Sequence, residues 1–318
     1  MALTTTGSAG LSVTMKTFYD RVLLERTLPV LIHDKFAQVK TIPQHAGKVV
    51  EFRKFAGLPT ATTPLVEGVP PTLKDITMTA VTATIAQYAD AVGFTDLVST
   101  TTFDPILTET TAVLGEQAGE TLDELHRAVL NSGTTVMFSS TASASAQRAN
   151  ISTGDIISIL ELRKAVRTLV TNRAKKIDGF YHAIIHPRVS FDLQGTTEWI
   201  TANQFAQTGR QFDGSLGTLY GVKFWETDKA MIFTGAANGN IGGGEGGIDV
   251  YSTLFFGANA YGTIKLDGHS LKTYYKALGS AGTADPVDQQ QSMGWKVAFG
   301  AKILNDAFML RYESAVSA

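Results

Sequence analysis

The chain of 318 residues contains no cysteine, so disulfides, thiolate chemistry and sulfur-ligated zinc are excluded. It also lacks a dominant charge: 27 Lys and Arg stand against 29 Asp and Glu, a formal net charge of −2. Proteins whose main task is to grip nucleic acid are usually basic, with a clustered positive face. Contact with nucleic acid is therefore expected to be diffuse and non-specific. No uncharged apolar run is long enough to span a bilayer. Residues 1–13, rich in Thr, Ser, Ala and Gly, have neither the basic nor the apolar region of a signal peptide. The protein is expected to be soluble and made inside a cell, with no membrane partner.

Signatures of catalysis are missing as well. There is no GxxxxGK[ST] phosphate loop. Ser215, in Asp213-Gly214-Ser215-Leu216-Gly217, lacks the first glycine of a nucleophile elbow. Gly242-Gly243-Gly244-Glu245-Gly246-Gly247 formally satisfies GxGxxG, but the strand-like Ile248-Asp249-Val250-Tyr251 follows it, whereas a dinucleotide site needs a helix N-terminus there. His182 and His186 flank a strand-like Ala183-Ile184-Ile185; four apart on a strand they lie roughly 13 Å from each other, as ordinary half-buried histidines. Glu116, Glu120, Asp123 and Glu124 read as a solvated helix face or ion-pair partners. No catalytic, cofactor or metal residue is expected; a hydrolase with a dispersed site is the one remaining enzyme class.

What is present suffices for a sizeable core: 44% hydrophobic and 18% charged residues, in one elaborated domain or two interleaved ones. Residues 1–12 show no period and read as a flexible arm. Over 15–36, Phe18, Val22, Leu23, Leu28, Leu31 and Ile32 recur at helical spacing, broken by Pro29. Residues 48–55 alternate as a strand, and 75–94, rich in Thr, Val and Ile, read as a second. Between them Gly57, Pro59, Pro64, Gly68, Pro70 and Pro71 forbid regular structure. A projecting hairpin over 43–95 results. A two-stranded hairpin is marginal alone in water, so it needs a surface to lie on, such as a neighbouring subunit. Its candidate interface residues are Arg53, Lys54, Phe55, Pro59, Pro64, Glu67 and Pro70.

A long helix is predicted over 104–131. Asp104 is a good N-cap, Pro105 suits the first helical position, and Asn131-Ser132-Gly133 ends the run. Leu107, Val113, Leu114, Ala118, Leu122, Leu125 and Val129 form its apolar stripe, and its length is roughly 40 Å. After a low-complexity connector (132–150), a second helix starts near Asp155 with Ile156, Ile159, Leu160, Val166, Leu169 and Val170 inward. Strands are predicted at 180–185, 222–225 and 248–256, and 189–193 reads as helical turns. The chain ends in a predicted hairpin: Trp295, Val297 and Phe299 alternate, Asn305 and Asp306 turn, and Phe308, Leu310 and Tyr312 alternate again. The class is α+β, without a βαβ series or internal repeat. Arg163, Lys164, Arg167, Arg173, Lys175 and Lys176 are the one concentration of charge. They are candidate phosphate or inter-subunit contacts, with a solvated helix face as the ordinary alternative.

Three segments carry a family resemblance. The first runs from Phe18-Tyr19-Asp20-Arg21 and His33-Asp34-Lys35-Phe36 through Gly47-Lys48-Val49-Val50-Glu51-Phe52-Arg53 to Thr62-Thr63-Pro64-Leu65-Val66-Glu67-Gly68-Val69-Pro70. The second is Ile184-Ile185-His186-Pro187, and the third is Gly294-Trp295-Lys296-Val297-Ala298-Phe299-Gly300-Ala301-Lys302-Ile303-Leu304-Asn305. In this order they resemble the N4 gp56-like family of tailed-bacteriophage major capsid proteins, which have the HK97-like fold. The resemblance implies an N-terminal arm (1–42), an E-loop hairpin reaching over a neighbour (43–95) and a peripheral domain with a spine helix (96–154). It further implies an axial domain (155–255) and a return to the peripheral domain (256–318). The implied function is self-assembly into hexamers and pentamers of an icosahedral head enclosing double-stranded DNA. Assembly would take place in the host cytoplasm and the product would be the virion capsid, with portal, scaffold and decoration proteins as further partners. The alternative is another phage ring or tube protein, a tail-tube or decoration subunit, against which the long helix argues.

Overall fold

The structure is a computed structural model that describes residues 23, 31–101, 106–139, 147–196, 217–237, 247–280, 282 and 285–317. The arm apart from Leu23 and 31–42, the Asp104–Pro105 start of the long helix, Ser215, and the glycine loop before Gly247 lie outside the described residues. Two sheets share the body. In the first, strands run β1-β11-β13-β12, with β4 on the other edge of β13. Here β1 is Gln38–Ile42, β4 Ala86–Thr95, β11 Tyr261–Leu266, β12 Lys272–Lys276 and β13 Gln290–Ile303. In the second the order is β5-β14-β10-β6-β8-β7, with β9 also on β10. These strands are β5 Val136–Phe138, β6 Tyr181–Ile185, β7 Thr218–Leu219, β8 Val222–Glu226, β9 Ile232–Ala237, β10 Ile248–Phe256 and β14 Met309–Ser314. A separate two-stranded ribbon pairs β2 (Val49–Phe55) with β3 (Met78–Thr84).

Among the described residues the body also carries the helices α1 Asp96–Thr101, α2 Ile106–Leu130, α3 Ile159–Thr171 and α4 Pro187–Gln194. The predicted long helix is α2. Its Leu114, Ala118 and Leu122 pack on Met293, Trp295, Val297 and Phe299 of β13, and Leu23 of the arm joins this cluster. Alternation along β13 thus points every second side chain at the helix. The predicted stripe is broken at Val113, which is 63% exposed. α3 opens with a capping box between Ser158 and Glu161 and buries Ile159, Leu162, Ala165 and Leu169 against β6, β8, β10 and β14. The prediction that Leu160 and Val170 point inward is overturned, since they are 59% and 55% exposed. The buried set at 159, 162, 165 and 169 is one helical stripe; 160 falls on the opposite face, and 170 lies at the stripe's edge in the last turn. β6 is buried throughout because α3 and α4 cover one face while Leu130, Phe256 and Met309 belong to the cluster on the other.

Two strand assignments change. The single strand expected over 75–94 breaks at Ile85. β3 pairs with β2, but β4 leaves the ribbon and pairs with β13 from Ala86↔Phe299 to Thr95↔Gln290. The projecting hairpin is therefore 49–84, and 86–95 belongs to the body. The terminal hairpin does not exist as such. β13 lies in the first sheet, and β14 pairs with β10 and β5 in the second. Both edges of β13 are occupied, by β4 on one side and by β11 and β12 on the other, so β14 finds no free edge there. Residues 304–308 instead carry the chain across, and the Asp306 carboxylate accepts the Thr134 N–H at 3.0 Å to hold the crossing.

Leu162 sits at the centre of the larger core, 1% exposed. Leu162→Ala is expected to lower unfolding free energy by about 2–5 kcal/mol, measured by urea denaturation of the unassembled chain.

Candidate assembly interface

The ribbon is amphipathic at its base and exposed at its tip. Val50 and Phe52 of β2 and Ala83 of β3 face the body and bury against Ile42 and Ile264, while Val49, Glu51 and Arg53 face outward. Glycine makes this close approach possible: a Cβ on Gly262 would stand 3.0 Å from the Phe52 ring, and one on Gly300 would stand 2.7 Å from the Thr84 carbonyl oxygen. Beyond Phe55 and Met78 the backbone bonds among the described residues reduce to Ala56 N–H to Thr77 O and Val69 N–H to Val66 O. The Pro59, Pro64, Pro70 and Pro71 nitrogens have no hydrogen to donate. The tip exposes Leu58, Leu65, Val66, Val69, Ile76 and Leu73, the last 93% exposed.

The predicted interface residues occupy two zones of this ribbon. Arg53 and Lys54 sit at the tip-side end of β2, where Arg53 approaches Glu51 at 3.5 Å and Lys54 donates to Asn305 Oδ1 at 2.9 Å. Phe55 marks the point where the ribbon leaves the body. Pro59, Pro64, Glu67 and Pro70 lie on the exposed tip. The basic residues also gather: Arg163, Lys164 and Arg167 line the exposed face of α3, and Arg173, Lys175 and Lys176 lie on the turn after it. Arg173 adopts φ +57° at the helix end. The Ala174 N–H bonds to Leu169 O and the Arg173 N–H to Val170 O, a Schellman closure that normally takes glycine. The Arg163 guanidinium stands 5.8 Å from the Tyr220 ring centre and the Lys176 ammonium 5.6 Å from that of Tyr181. Carboxylate partners for these cations are absent among the described residues.

Sequence reasoning missed a buried polar clasp at the end of the arm. Asp123, expected on a polar helix face, is fully buried. Its carboxylate accepts the backbone N–H groups of Ile32 and His33 at 2.9 Å each and meets His33 Nδ1 at 2.6 Å. One residue on, Asp34 faces His126 Nε2 at 3.2 Å, the Thr263 hydroxyl at 2.9 Å and Lys265 at 3.6 Å. Tyr261 donates to the His33 carbonyl at 2.5 Å. Three consecutive arm residues are thus tied to α2 and β11. Burial pushes both carboxyls up, but their partners outweigh it. The His126 ring, Lys265 and Thr263 hold Asp34 at about 2, and the His33 ring and the two backbone N–H groups hold Asp123 below its ordinary 3.8. Asp123 and His126 lie three apart on one face of α2, a spacing visible in the sequence without its partners. His182 and His186 serve separately. The first accepts from Trp225 Nε1 and stacks on Phe36, and the second caps α4 by accepting the Arg188 N–H. Burial pushes both imidazoles below the ordinary value.

A ribbon projecting from a two-sheet body with one long helix across the first sheet defines an HK97-like capsid fold. The chain is similar to the protein in the capsid structure of cyanophage P-SCSP1u, at 19% identity and a TM-score of 0.67, over 90% of this chain and 89% of that one. It is likewise similar to the capsid of Ralstonia phage GP4 (15% identity, TM-score 0.67, 89% and 88% covered). A third likeness is to the acid-stable capsid of Helicobacter pylori bacteriophage KHP30 (10%, 0.62, 91% and 91%). Residues 79–312, well over half of the chain, match the phage capsid protein family, and the chain belongs to that family. No curated protein sequence matches it significantly.

The Asp–His clasp has two measurable consequences. Asp123→Ala leaves two backbone donors and an imidazole buried without their acceptor and is expected to cost about 3–5 kcal/mol in urea denaturation. Because the folded pKa of Asp34 lies below its unfolded value, its stabilisation is complete above 3.8 and is lost as pH falls toward about 2. Asp34→Asn should flatten that part of the stability–pH curve, about 2 kcal/mol in depth.

Proposed function

We propose that this capsid protein is a major capsid protein of the N4 gp56-like branch, assembling into hexamers and pentamers of an icosahedral head around double-stranded DNA. The single observation that carries the reading is the ribbon tip over 56–77, an apolar segment exposed on every side that no part of its own chain covers among the described residues. In this reading the ribbon is the E-loop and lies over a neighbouring copy, while α2 is the spine of a peripheral domain built on the first sheet. The second sheet with α3 and α4 forms the axial domain. Each subunit buries far more than the roughly 1,600 Å² of a standard interface, spread over several neighbours, and a net charge of −2 favours such many-sided contact over self-repulsion. Assembly takes place in the host cytoplasm, with portal, scaffold and decoration proteins as further partners. The chain itself has no enzymatic role.

The basic cluster supports a contact on the axial side. Arg173 holds a left-handed conformation that costs a non-glycine residue about 1–2 kcal/mol, so a side chain is kept where glycine fits better. Phosphates of packaged DNA suit these cations, and the exposed Leu160, Val170, Phe180 and Tyr220 around them suit a subunit contact. Weakening of DNA retention by Arg163→Ala and Arg167→Ala, with intact shells, would assign the cluster to DNA; loss of shells would assign it to the subunit contact.

Electron microscopy of purified protein should show closed polyhedral shells; tubes or a monodisperse small oligomer would overturn the reading. Limited proteolysis should cut free subunits within 57–73 and spare the same bonds in shells.

A further inference from the structure

The base of the ribbon contains a cavity of about 520 Å³. Its floor is aromatic, formed by Phe52 and Phe308, with Val39, Val81 and Leu304 on the walls. Its polar lining is one-sided: Lys40 and Lys54 supply cations, Gln38, Asn259 and Asn305 supply amides, Arg53 lines it but pairs its guanidinium with Glu51 on the exposed side of β2, and no lining residue is acidic. Lys40 lies 5.3 Å from the Phe52 ring centre and Lys54 lies 6.0 Å from that of Phe308, so both ammonium groups hang over the floor. Their present hydrogen bonds go to neutral oxygens, the Glu51 carbonyl for Lys40 and the Asn305 amide for Lys54. The carboxylates adjacent in sequence to its lining residues are engaged elsewhere. Glu51 meets Arg53 at 3.5 Å on the exposed side of β2, and Asp306 bonds Thr134 and Thr135 instead. A mouth of this kind suits a carboxylate carried next to an aliphatic side chain.

The chain carries that combination at the far end of the same ribbon. Val69 N–H bonds to Val66 O at 3.1 Å, and Gly68 takes φ +82°, so 66–69 is a preformed tight turn. It presents Leu65, Val66 and Glu67 to solvent. Glu67 is the only acidic residue between Glu51 and Asp75. A ribbon cannot fold its tip back onto its own base while its strands remain paired up to Phe55↔Met78. The complementary cavity must therefore belong to another copy. We propose that the 66–69 turn of one subunit seats Glu67 in the base cavity of a second copy, between its Lys40 and Lys54. Tip and base are different surfaces of one molecule, so the contact is heterologous and closes into a ring when the rotation per subunit divides a full turn. This inference rests on the shell-forming reading and adds to it the partner surface for the tip.

The absence of cysteine makes a clean test. Glu67→Cys is combined in turn with Gln38→Cys, Lys40→Cys and Asn259→Cys, and with Ala91→Cys on the first sheet as a control outside the cavity. Shells are oxidised and run on non-reducing gels. The expected result is a covalent ladder of several chains for at least one cavity pair and monomer for the control pair and for each single variant. Shells that remain monomeric with every cavity pair, or that ladder through Ala91→Cys instead, overturn the proposal while leaving shell formation intact. Absence of shells from the unaltered chain overturns both. Charge reversal gives an independent arm. Glu67→Lys and Lys54→Glu should each reduce the yield of shells at least several-fold, and the double variant should recover most of it. Single variants that assemble as the unaltered chain does would count against the contact.

Discussion

Strand β13 is the constraint on which the remainder of the body depends. One edge of its fourteen residues is hydrogen-bonded along β4, and the other is shared by β12 and β11. One face receives the long helix, while Gly294 and Gly300 let the neighbouring backbone at Asp90 of β4 and Thr84 of the ribbon approach closely. A Cβ at either glycine would come within 2.7 Å of a carbonyl oxygen, closer than packed atoms tolerate. The same strand delivers the chain to the second sheet, so the two sheets and the helix cannot move independently without breaking its ladder.

This rigidity contrasts with the ribbon. Its base is part of the packed body, but its tip has almost no internal hydrogen bonds and no core of its own. Asp34, Asp123, His33 and His126 form a fixed joint between arm and helix, with every carboxylate oxygen engaged. Such networks specify one geometry, here with His33 Nε2 as the joint's one ring nitrogen without a partner among the described residues. They belong to a scaffold whose chemistry is recognition between surfaces.

Much of the secondary structure was legible in the residues. Val49–Phe55 and Ile248–Phe256 follow from local alternation and composition, and the body of Ile106–Leu130 follows from a stripe of period near 3.6 and a terminator at Asn131–Gly133. The projecting tip was legible because prolines and glycines forbid regular structure regardless of surroundings. These are properties of neighbours in the chain.

What remained hidden depends on partners distant in sequence. Nothing local to Ile85 tells that β3 and β4 serve different sheets, and nothing in 295–312 tells that its two strands never meet; strand pairing is a competition for free edges, settled by β4, β11 and β12. Asp123 looked like a surface acid because helical spacing gives a face but not what covers it, and the cover comes from His33, ninety residues earlier. Leu160 and Val170 looked like core because they are apolar, and the tertiary structure left them outside. The sequence by itself determined the elements and the exposed tip, through hydrogen-bonding capacity and periodicity. Only the tertiary structure decided which edges pair, which charges are buried, and that Lys40 and Lys54 converge over an aromatic floor, because each of these depends on contacts that form only when distant segments are packed together.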